Sequence, residues 1–230
     1  MTESEINKAL DSNYVDVKEN AIKDPDASPV NIDKALDDNN VYVRMNAIRN
    51  PNVSEVNIGK ALNDKNLIIR VTAIRNPKAS TSNINKALDD TSIDVKATAA
   101  DHQNASTANI NKALSDTSLY VRQTVIRNPN ATKSNINKAL SDTDITIREY
   151  AIRHKNVTPD NINKALDDED FFVRFHAISN PNATKANINK AIKDKDFDIR
   201  ITAINHKKAT KAQKEQVTND PDIIAYLLKR

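Results

Sequence analysis

The chain has 230 residues, a formal net charge of +3, one glycine and no cysteine. The lack of cysteine excludes disulfides and thiolate metal sites, and one glycine is too few for glycine-rich phosphate loops or β-hairpins. So small a net charge does not by itself indicate nucleic acid. No run approaches the ~20 apolar residues of a membrane span, and no apolar signal segment follows Met1. We therefore expect a cytoplasmic protein, virion-associated if a phage encodes it.

A six-residue phrase, Asn-Ile-x-Lys-Ala-Leu, recurs every 26 residues without a slip in register. A first copy starts with Glu5, and the last copy closes on Ile192; the other seven begin at Asn31, Asn57, Asn83, Asn109, Asn135, Asn161 and Asn187. A fixed period between about 20 and 50 residues is typical of solenoids, whose repeats bury their apolar faces only against neighbours. The sequence predicts an all-α solenoid, or superhelix, of eight 26-residue helix pairs over residues 5–212, within one domain spanning residues 1–230.

Repeat positions are numbered from the first residue of the phrase, so Asn31 is position 1 of the second repeat. The first helix of each pair is predicted to start after a capping Ser or Thr at position 24 of the unit before. Pro29 and Pro159 follow two of these caps, at the first helical position, where a missing N–H costs nothing. An apolar stripe such as Ile32, Ala35 and Leu36 then marks the buried face.

The second helix is predicted to start after a capping Asp at position 8, such as Asp38, and to run to about position 19. Asn at position 20 favours a left-handed exit, and the Pro that often follows forbids continuation. At 100° per residue, positions 11, 14, 17 and 18 fall on the inward side of this helix. Positions 12, 15, 16 and 19 fall on the outward side. Residues 213–230 lose the phrase but carry Ile223, Ile224, Tyr226, Leu227 and Leu228, which predict a helical C-terminal cap.

The segment at residues 37–62 resembles the leucine-rich repeat variant family and, more loosely, HEAT repeats. The likeness lies in Asp38, the Val43-Arg44 pair, Ala47 and the Asn50-Pro51 stop, and it recurs over residues 5–212. The resemblance implies an all-helical superhelix that binds macromolecules. The iron–sulfur domain known ahead of the variant family's repeats does not carry over, because the chain has no cysteine.

A cation stands at position 14 of every repeat. These cations could form a rail for phosphates, or they could be structural, because in HEAT-like folds such an Arg and Asp hydrogen-bond between adjacent repeats. A buried bidentate pair would fix the stacking register, and we favour this interpretation. The predicted ladder comprises Asp38, Arg44, Asp64, Arg70, Asp116, Arg122, Asp142, Arg148, Asp168, Arg174, Asp194 and Arg200.

Other polar rows have ordinary interpretations. The invariant lysine at position 4, such as Lys34, is expected to be an exposed solubilising residue, and the Asn rows are expected to hold turns and inter-repeat hydrogen bonds. His102, His154 and His206 take the Asn place at position 20, two repeats apart, which is too far to share a metal. No nucleophile elbow, zinc spacing or phosphate loop occurs. We predict no enzymatic activity, no cofactor and no metal.

The outward positions of the second helices carry many apolar and aromatic residues, for which solvent alone gives no reason. Aromatic residues, Met and Arg are enriched at protein interfaces, and an exposed apolar strip usually marks a binding surface. The curvature of the solenoid or a second copy could instead cover part of the strip. The predicted partner-binding residues are Tyr42, Met45, Arg49, Ile68, Val71, Arg75, Tyr120, Arg127, Tyr150, Arg153, Phe172, Phe175 and His176.

The charge of these outward positions helps to choose the class of partner. Over eight repeats they carry five cations and six anions, a net charge of −1, whereas a face that binds a duplex should be strongly positive. The hypothesis is therefore a scaffold or adaptor that engages a protein. Nucleic-acid binding through the lysine row or the lysine-rich C-terminal loops remains an alternative, as does a structural component, for example of a phage virion.

Overall fold

The computed structural model describes residues 1–217, 220, 221, 224 and 225. These residues form seventeen α-helices and no β-strand. The chain divides into two compact units, Met1–Asn130 and Ala131–Arg230, which we call unit 1 and unit 2. The odd-numbered helices α1–α15 are the first helices of the pairs, and the even-numbered ones are the second helices.

Unit 1 contains five helix pairs. Its first helices pack on one another and its second helices do the same, so the unit has two layers. The bounds are α1 (Glu3–Ala9), α2 (Val15–Ile22), α3 (Pro29–Ala35), α4 (Val41–Arg49), α5 (Glu55–Ala61), α6 (Leu67–Ile74), α7 (Thr81–Ala87), α8 (Ile93–Ala100), α9 (Thr107–Ala113) and α10 (Leu119–Ile126).

Unit 2 contains three helix pairs and one further short helix, with the same two-layer packing inside the unit. The longest described helices of the chain have nine residues, and none is long and apolar enough to cross a membrane. The bounds are α11 (Lys133–Ala139), α12 (Ile145–Arg153), α13 (Pro159–Ala165), α14 (Phe171–Ser179), α15 (Lys185–Ala191), α16 (Phe197–Asn205) and α17 (Lys211–Glu215).

The core lies between the two layers of each unit and repeats its composition every 26 residues. In the second repeat Ile32, Val43, Ala47 and Ile48 are at most 1% exposed. Burying each large aliphatic side chain stabilises the fold by roughly 1.5–3 kcal/mol, and the alanine at position 17 lets helices approach closely. Helices of seven to nine residues are too short to be stable alone, so this packing supplies their stability.

The predicted caps of the first helices are confirmed. In the third repeat Ser54 Oγ accepts a hydrogen bond from Asn57 N at 3.2 Å, and Asn57 Oδ1 accepts one from Ser54 N at 3.0 Å. This reciprocal capping box satisfies two N–H groups that the helix start would otherwise leave unpaired. The same box stands at the start of every first helix and of α17.

The predicted start of the second helices is wrong by two residues. Helix α4 begins at Val41 and its cap is Asn40, whose Oδ1 accepts from Tyr42 N at 2.8 Å. Asp38 instead accepts from Asn40 N at 2.7 Å and so orders the loop ahead of the helix. Asp favours both roles, through the same side-chain to backbone hydrogen bond, and the sequence alone does not separate them.

Two further local predictions fail. Asn50 does not exit the helix in a left-handed conformation, because its φ of −62° and ψ of 136° are extended, and no described residue has a positive φ. Position 11 is not inward, because Leu67, Ile93 and Leu119 keep 38%, 49% and 38% of their surface exposed. Position 11 is the first residue of the second helix. No turn of the same helix precedes it, so its side chain stays partly open to solvent.

The inter-repeat contacts continue beyond residue 212, although the six-residue phrase is lost there, as predicted. Gln213 stands at position 1 of a ninth unit and donates from Nε2 to Lys185 O at 2.7 Å. Asp220 stands at its position 8 and accepts from Arg200 Nε at 2.7 Å. For the predicted cap, Ile224 is 40% exposed; Ile223, Tyr226, Leu227 and Leu228 lie outside the described residues.

Candidate protein-binding surface

The position-14 cations reach forward to the next repeat. In unit 1 Arg44 holds Asp64 in a two-point contact, with Nε to Oδ2 at 2.7 Å and Nη2 to Oδ1 at 3.1 Å. Arg44 Nη1 also donates to Asp38 O at 2.9 Å. Arg70 binds Asp90 in the same way, at 2.8 and 3.1 Å. Each Arg therefore joins the loop ahead of its own second helix to the equivalent loop of the following repeat.

Unit 2 repeats this arrangement. Arg148 binds Asp168 at 2.8 and 3.1 Å, and these hydrogen bonds raise the pKa of the guanidinium although burial opposes them. Arg174 binds Asp194 through Nε at 2.9 Å. Two further ladder residues also make hydrogen bonds to the backbone: Arg122 Nη1 donates to Asp116 O at 3.0 Å, and Asp142 Oδ1 accepts from Asp144 N at 2.9 Å.

The burial of these cations favours a structural role over a phosphate rail. Arg44, Arg148 and Arg174 are 5%, 8% and 3% exposed. A guanidinium with so little exposed surface, and with its donors already on a carboxylate and carbonyl oxygens, has none to offer a phosphate. A charge pair at this depth needs such complete hydrogen bonding to offset the cost of leaving water.

Lys8, Lys86 and Lys138 are exposed as expected, but the other five invariant lysines are half-buried, because each of them reaches back to the preceding repeat. Lys60 Nζ donates to Asp33 O at 2.8 Å and to Asp37 Oδ2 at 2.7 Å. Burial pulls the pKa of Lys60 down, but the hydrogen bonds that it donates to Asp37 and Asp33 outweigh this effect and the pKa rises. Lys164 Nζ donates to Ser141 Oγ at 2.5 Å, at the place where Lys60 binds the carboxylate of Asp37. Burial lowers the pKa of Lys164.

The polar residues at position 20 also bind the preceding repeat, as the sequence predicts for the Asn rows. Asn50 Nδ2 donates to Ile22 O at 2.8 Å and to Asp24 O at 3.0 Å, while its Oδ1 accepts from Asn52 N at 2.9 Å. The histidines copy this pattern. His102 Nδ1 accepts from Asn104 N at 3.0 Å, so the proton lies on Nε2, which donates to the carbonyl of Asn76 at 3.1 Å.

The outward second-helix residues of unit 1 are Tyr42, Met45, Arg49, Ile68, Val71, Arg75, Tyr120 and Arg127, and we call them the unit 1 strip. Its position-12 residues are the most exposed: Tyr42, Ile68 and Tyr120 keep 65%, 60% and 56% of their surface. The arginines at position 19 are exposed as well. Position 15 is half-buried, because the side chains of neighbouring second helices meet there: Met45 Sδ, for example, lies 3.7 Å from Thr72 Oγ1.

A groove of about 810 Å³ runs along the unit 1 strip from α4 to α10. Helix α8 lines it with short outward residues: Ala97 stands at position 15, where the neighbouring second helices carry Val71 and Gln123. Ile68 and Tyr120 also line it. Charged side chains complete the lining: Arg49 and Arg75 on one side, and Asp94 and Asp101 on α8.

The outward residues of unit 2 are Tyr150, Arg153, Phe172, Phe175 and His176, the unit 2 strip. Phe172 is 56% exposed, while the other two aromatic residues of α14 are half-buried. The ring centroids of Phe171 and Phe175 lie 6.0 Å apart, and those of Phe175 and His176 lie 5.9 Å apart. Burial lowers the pKa of His176, the charge of Arg153 lowers it further, and Glu149 opposes this.

The structure differs from the sequence-based description of these surfaces in three respects. His176, expected at the surface, is half-buried beside Phe175. Ile201, at outward position 15 of its repeat, is only 9% exposed, so it belongs to the core. The groove was not predicted, because it arises from a missing side chain at Ala97 and not from a residue that the pattern singles out.

Comparison with known proteins supports the fold. No protein-family model and no curated protein matches the chain. Among solved structures, a leucine-rich repeat variant with a novel repetitive structural motif aligns with a TM-score of 0.60 at 14% identity, covering 87% of this chain and 80% of that one. The chain is therefore an α-helical repeat protein of the solenoid class. It shares its fold with that leucine-rich repeat variant.

Two less similar structures are a structural-genomics target from Escherichia coli and a designed armadillo repeat protein in complex with the peptide (KR)4. The first has a TM-score of 0.42 at 17% identity and covers 84% of this chain and 96% of its own. The second has a TM-score of 0.26 at 17% identity and covers 86% and 95%. At these TM-scores neither likeness bears on this chain's function.

Proposed function

We propose that this chain is a non-enzymatic scaffold that binds a protein partner through the unit 1 and unit 2 strips. One observation carries the proposal: large apolar side chains recur at position 12 of the second helices and are more than half exposed in Tyr42, Ile68, Tyr120 and Phe172. The fold does not need them there, because its core and its inter-repeat hydrogen bonds are complete without them. Aromatic residues beside exposed arginines are typical of binding hot spots.

The charged residues of the repeat support a protein over a nucleic acid at this surface. The position-14 cations are buried or half-buried, and lysines of the invariant row such as Lys60 are bound to the preceding repeat, so neither offers a free row of charge. Asp94 and Asp101 in the unit 1 groove would repel a phosphate backbone. Exposed lysines around α15 and α17 are the remaining nucleic-acid candidate: Lys185, Lys193, Lys195, Lys207, Lys211 and Lys214.

A peptide-display experiment tests the proposal. Binders selected from a phage-displayed random peptide library on the intact chain are measured by fluorescence anisotropy against a Tyr42→Ala, Phe172→Ala, Phe175→Ala variant. We expect at least a tenfold loss of affinity. The matched control is Val30→Ala with Val56→Ala, because these valines on first helices are 67% and 75% exposed.

Equal affinity for the triple variant and the intact chain would contradict the proposal, provided that circular dichroism shows both folded. A loss that is as large in the valine control would also contradict it. The nucleic-acid alternative predicts that a labelled oligonucleotide binds with a steep salt dependence, and that Lys→Gln changes around α17 weaken it. Binding of that kind without any strip dependence would replace the proposed function.

A further inference from the structure

The unit 1 groove carries charges that the fold leaves unused. Among the described residues, Arg49, Arg75, Asp94 and Asp101 have no ion-pair partner within 4 Å, in contrast to the buried position-14 arginines. All four are exposed and line the same groove. The two cations lie on α4 and α6, and the two anions on α8. Along the groove a ligand therefore meets the two arginines first, then the two aspartates, and then the ring of Tyr120 on α10.

The dimensions of the groove select the shape of the ligand. Neighbouring packed helices lie about 8–10 Å apart, so the distance from α4 to α10 is roughly 25–30 Å. An extended segment advances about 3.3 Å per residue, which places every third residue opposite the next helix.

We infer that the unit 1 groove binds an extended segment of a protein in which an acidic residue, a basic residue and an apolar residue follow one another at intervals of three. The acidic residue faces Arg75, the basic residue faces Asp94 and Asp101 above Ala97, and the apolar residue packs on Tyr120. Either chain direction fits, provided that the basic residue is the middle one. This inference rests on the proposed function and specifies the partner of one of its two surfaces.

The small size of Ala97 is central to this inference. Its Cβ is the only side-chain atom at position 15 of α8, and the space beyond it is where the stem of a lysine or arginine can lie. Such stems cover apolar surface while the charged end stays at the polar rim. Gln at this position would fill the space, and the equivalent Gln123 on α10 shows that the fold accepts Gln in this register.

Two labelled peptides of equal composition test the inference by fluorescence anisotropy with the intact chain. The matched nonapeptide has Glu, Lys and Leu at residues 2, 5 and 8 and Gly or Ser elsewhere. The exchanged peptide has Lys, Glu and Leu at the same places, an order that fits the groove in neither direction. We expect the matched peptide to bind at least tenfold more tightly, and Ala97→Gln to abolish that difference.

A charge-exchange variant gives a gain of binding that misfolding cannot imitate. With Arg75→Asp and Asp101→Arg together, the exchanged peptide should bind more tightly than the matched one. Equal binding of the two peptides, or a preference that survives Ala97→Gln, would overturn the inference. So would displacement of the matched peptide by an oligonucleotide. If library-selected binders still depend on Tyr42 or Phe172 but not on Ala97, the proposed function stands and only this inference fails.

Discussion

At the scale of single residues, a charge pair joins neighbouring helix pairs within each unit. Arg44 and Asp64 have side chains only 6% and 7% exposed, and the planar guanidinium meets both carboxylate oxygens. Lys18 and Lys96 replace Arg in two repeats and keep one contact each, at 2.7 and 2.9 Å from the acid of the next repeat. In these two repeats the chain therefore tolerates a Lys–Asp pair with one contact in place of the two-contact Arg–Asp pair.

We expect Arg44→Ala to lower the free energy of unfolding by about 3–5 kcal/mol, because it leaves the Asp64 carboxylate buried without its partner. Arg44→Lys should cost only about 1 kcal/mol, since it keeps the charge and one hydrogen bond. Urea unfolding followed by circular dichroism measures both. Arg49→Ala, five residues on and exposed, is the control and should change stability by less than about 0.5 kcal/mol. Equal effects of all three changes would remove the structural role of the pair.

At the scale of the helix pair, most contacts between repeats run backward. Positions 1, 4 and 20 donate to carbonyls of the preceding repeat, as Asn57, Lys60 and Asn50 do. The first repeat lacks two of these amide donors, because Glu5 and Asp24 stand in place of Asn, and Asp24 binds the terminal amine of Met1 at 2.8 Å instead.

The equivalence of Asn and His at position 20 gives a prediction for this element. Asn50→His should retain the fold within about 1 kcal/mol at about pH 8, because a neutral ring can accept at Nδ1 and donate at Nε2, as His102 does. Asn50→Ala should cost about 1–3 kcal/mol for each buried group left unpaired. Thermal unfolding compares the two. An Asn50→His variant as unstable as Asn50→Ala would show that the ring does not replace the amide.

The sequence predicts the elements well because the 26-residue period exposes every constraint eight times. Ser54 as a cap and Ile58 as core follow from residue type and helical spacing alone. The role of Asp64 in the loop ahead of the second helix does not follow from the sequence. Asp is as common in turns as at N-caps, and the 26-residue period does not show at which residue the helix begins. The groove could not be predicted, because its depth comes from the side chain that Ala97 lacks and from the helices on either side.

At the scale of the whole molecule, we propose that residues 1–230 unfold as one domain. The register runs through residues 130 and 131 without insertion, so the two units share one repeat pattern. Repeat arrays of this kind gain most of their stability from interfaces between neighbours. Hydrogen exchange at increasing urea should therefore show protected amides of α4 and α14 opening at the same midpoint. Two separate midpoints would contradict the proposal.

The strips matter at this scale because they are the surface that the repeated core leaves free to vary. Position 12 alone carries Tyr42, Ile68, Asp94, Tyr120 and Phe172, whereas position 17 is Ala in seven of the eight repeats. A scaffold needs this division, since the inward positions fix the stacking and the outward ones can take any side chain that a partner selects.

The most direct test is an amide chemical-shift map of the intact chain with a library-selected peptide. The proposed function predicts that the largest shifts fall on second helices, at and beside positions 12 and 19, for example near Tyr42, Arg75 and Phe172. First-helix residues such as Val30 and Val56 should remain unshifted. Shifts confined to the first helices, or to the lysines around α17, would contradict the account.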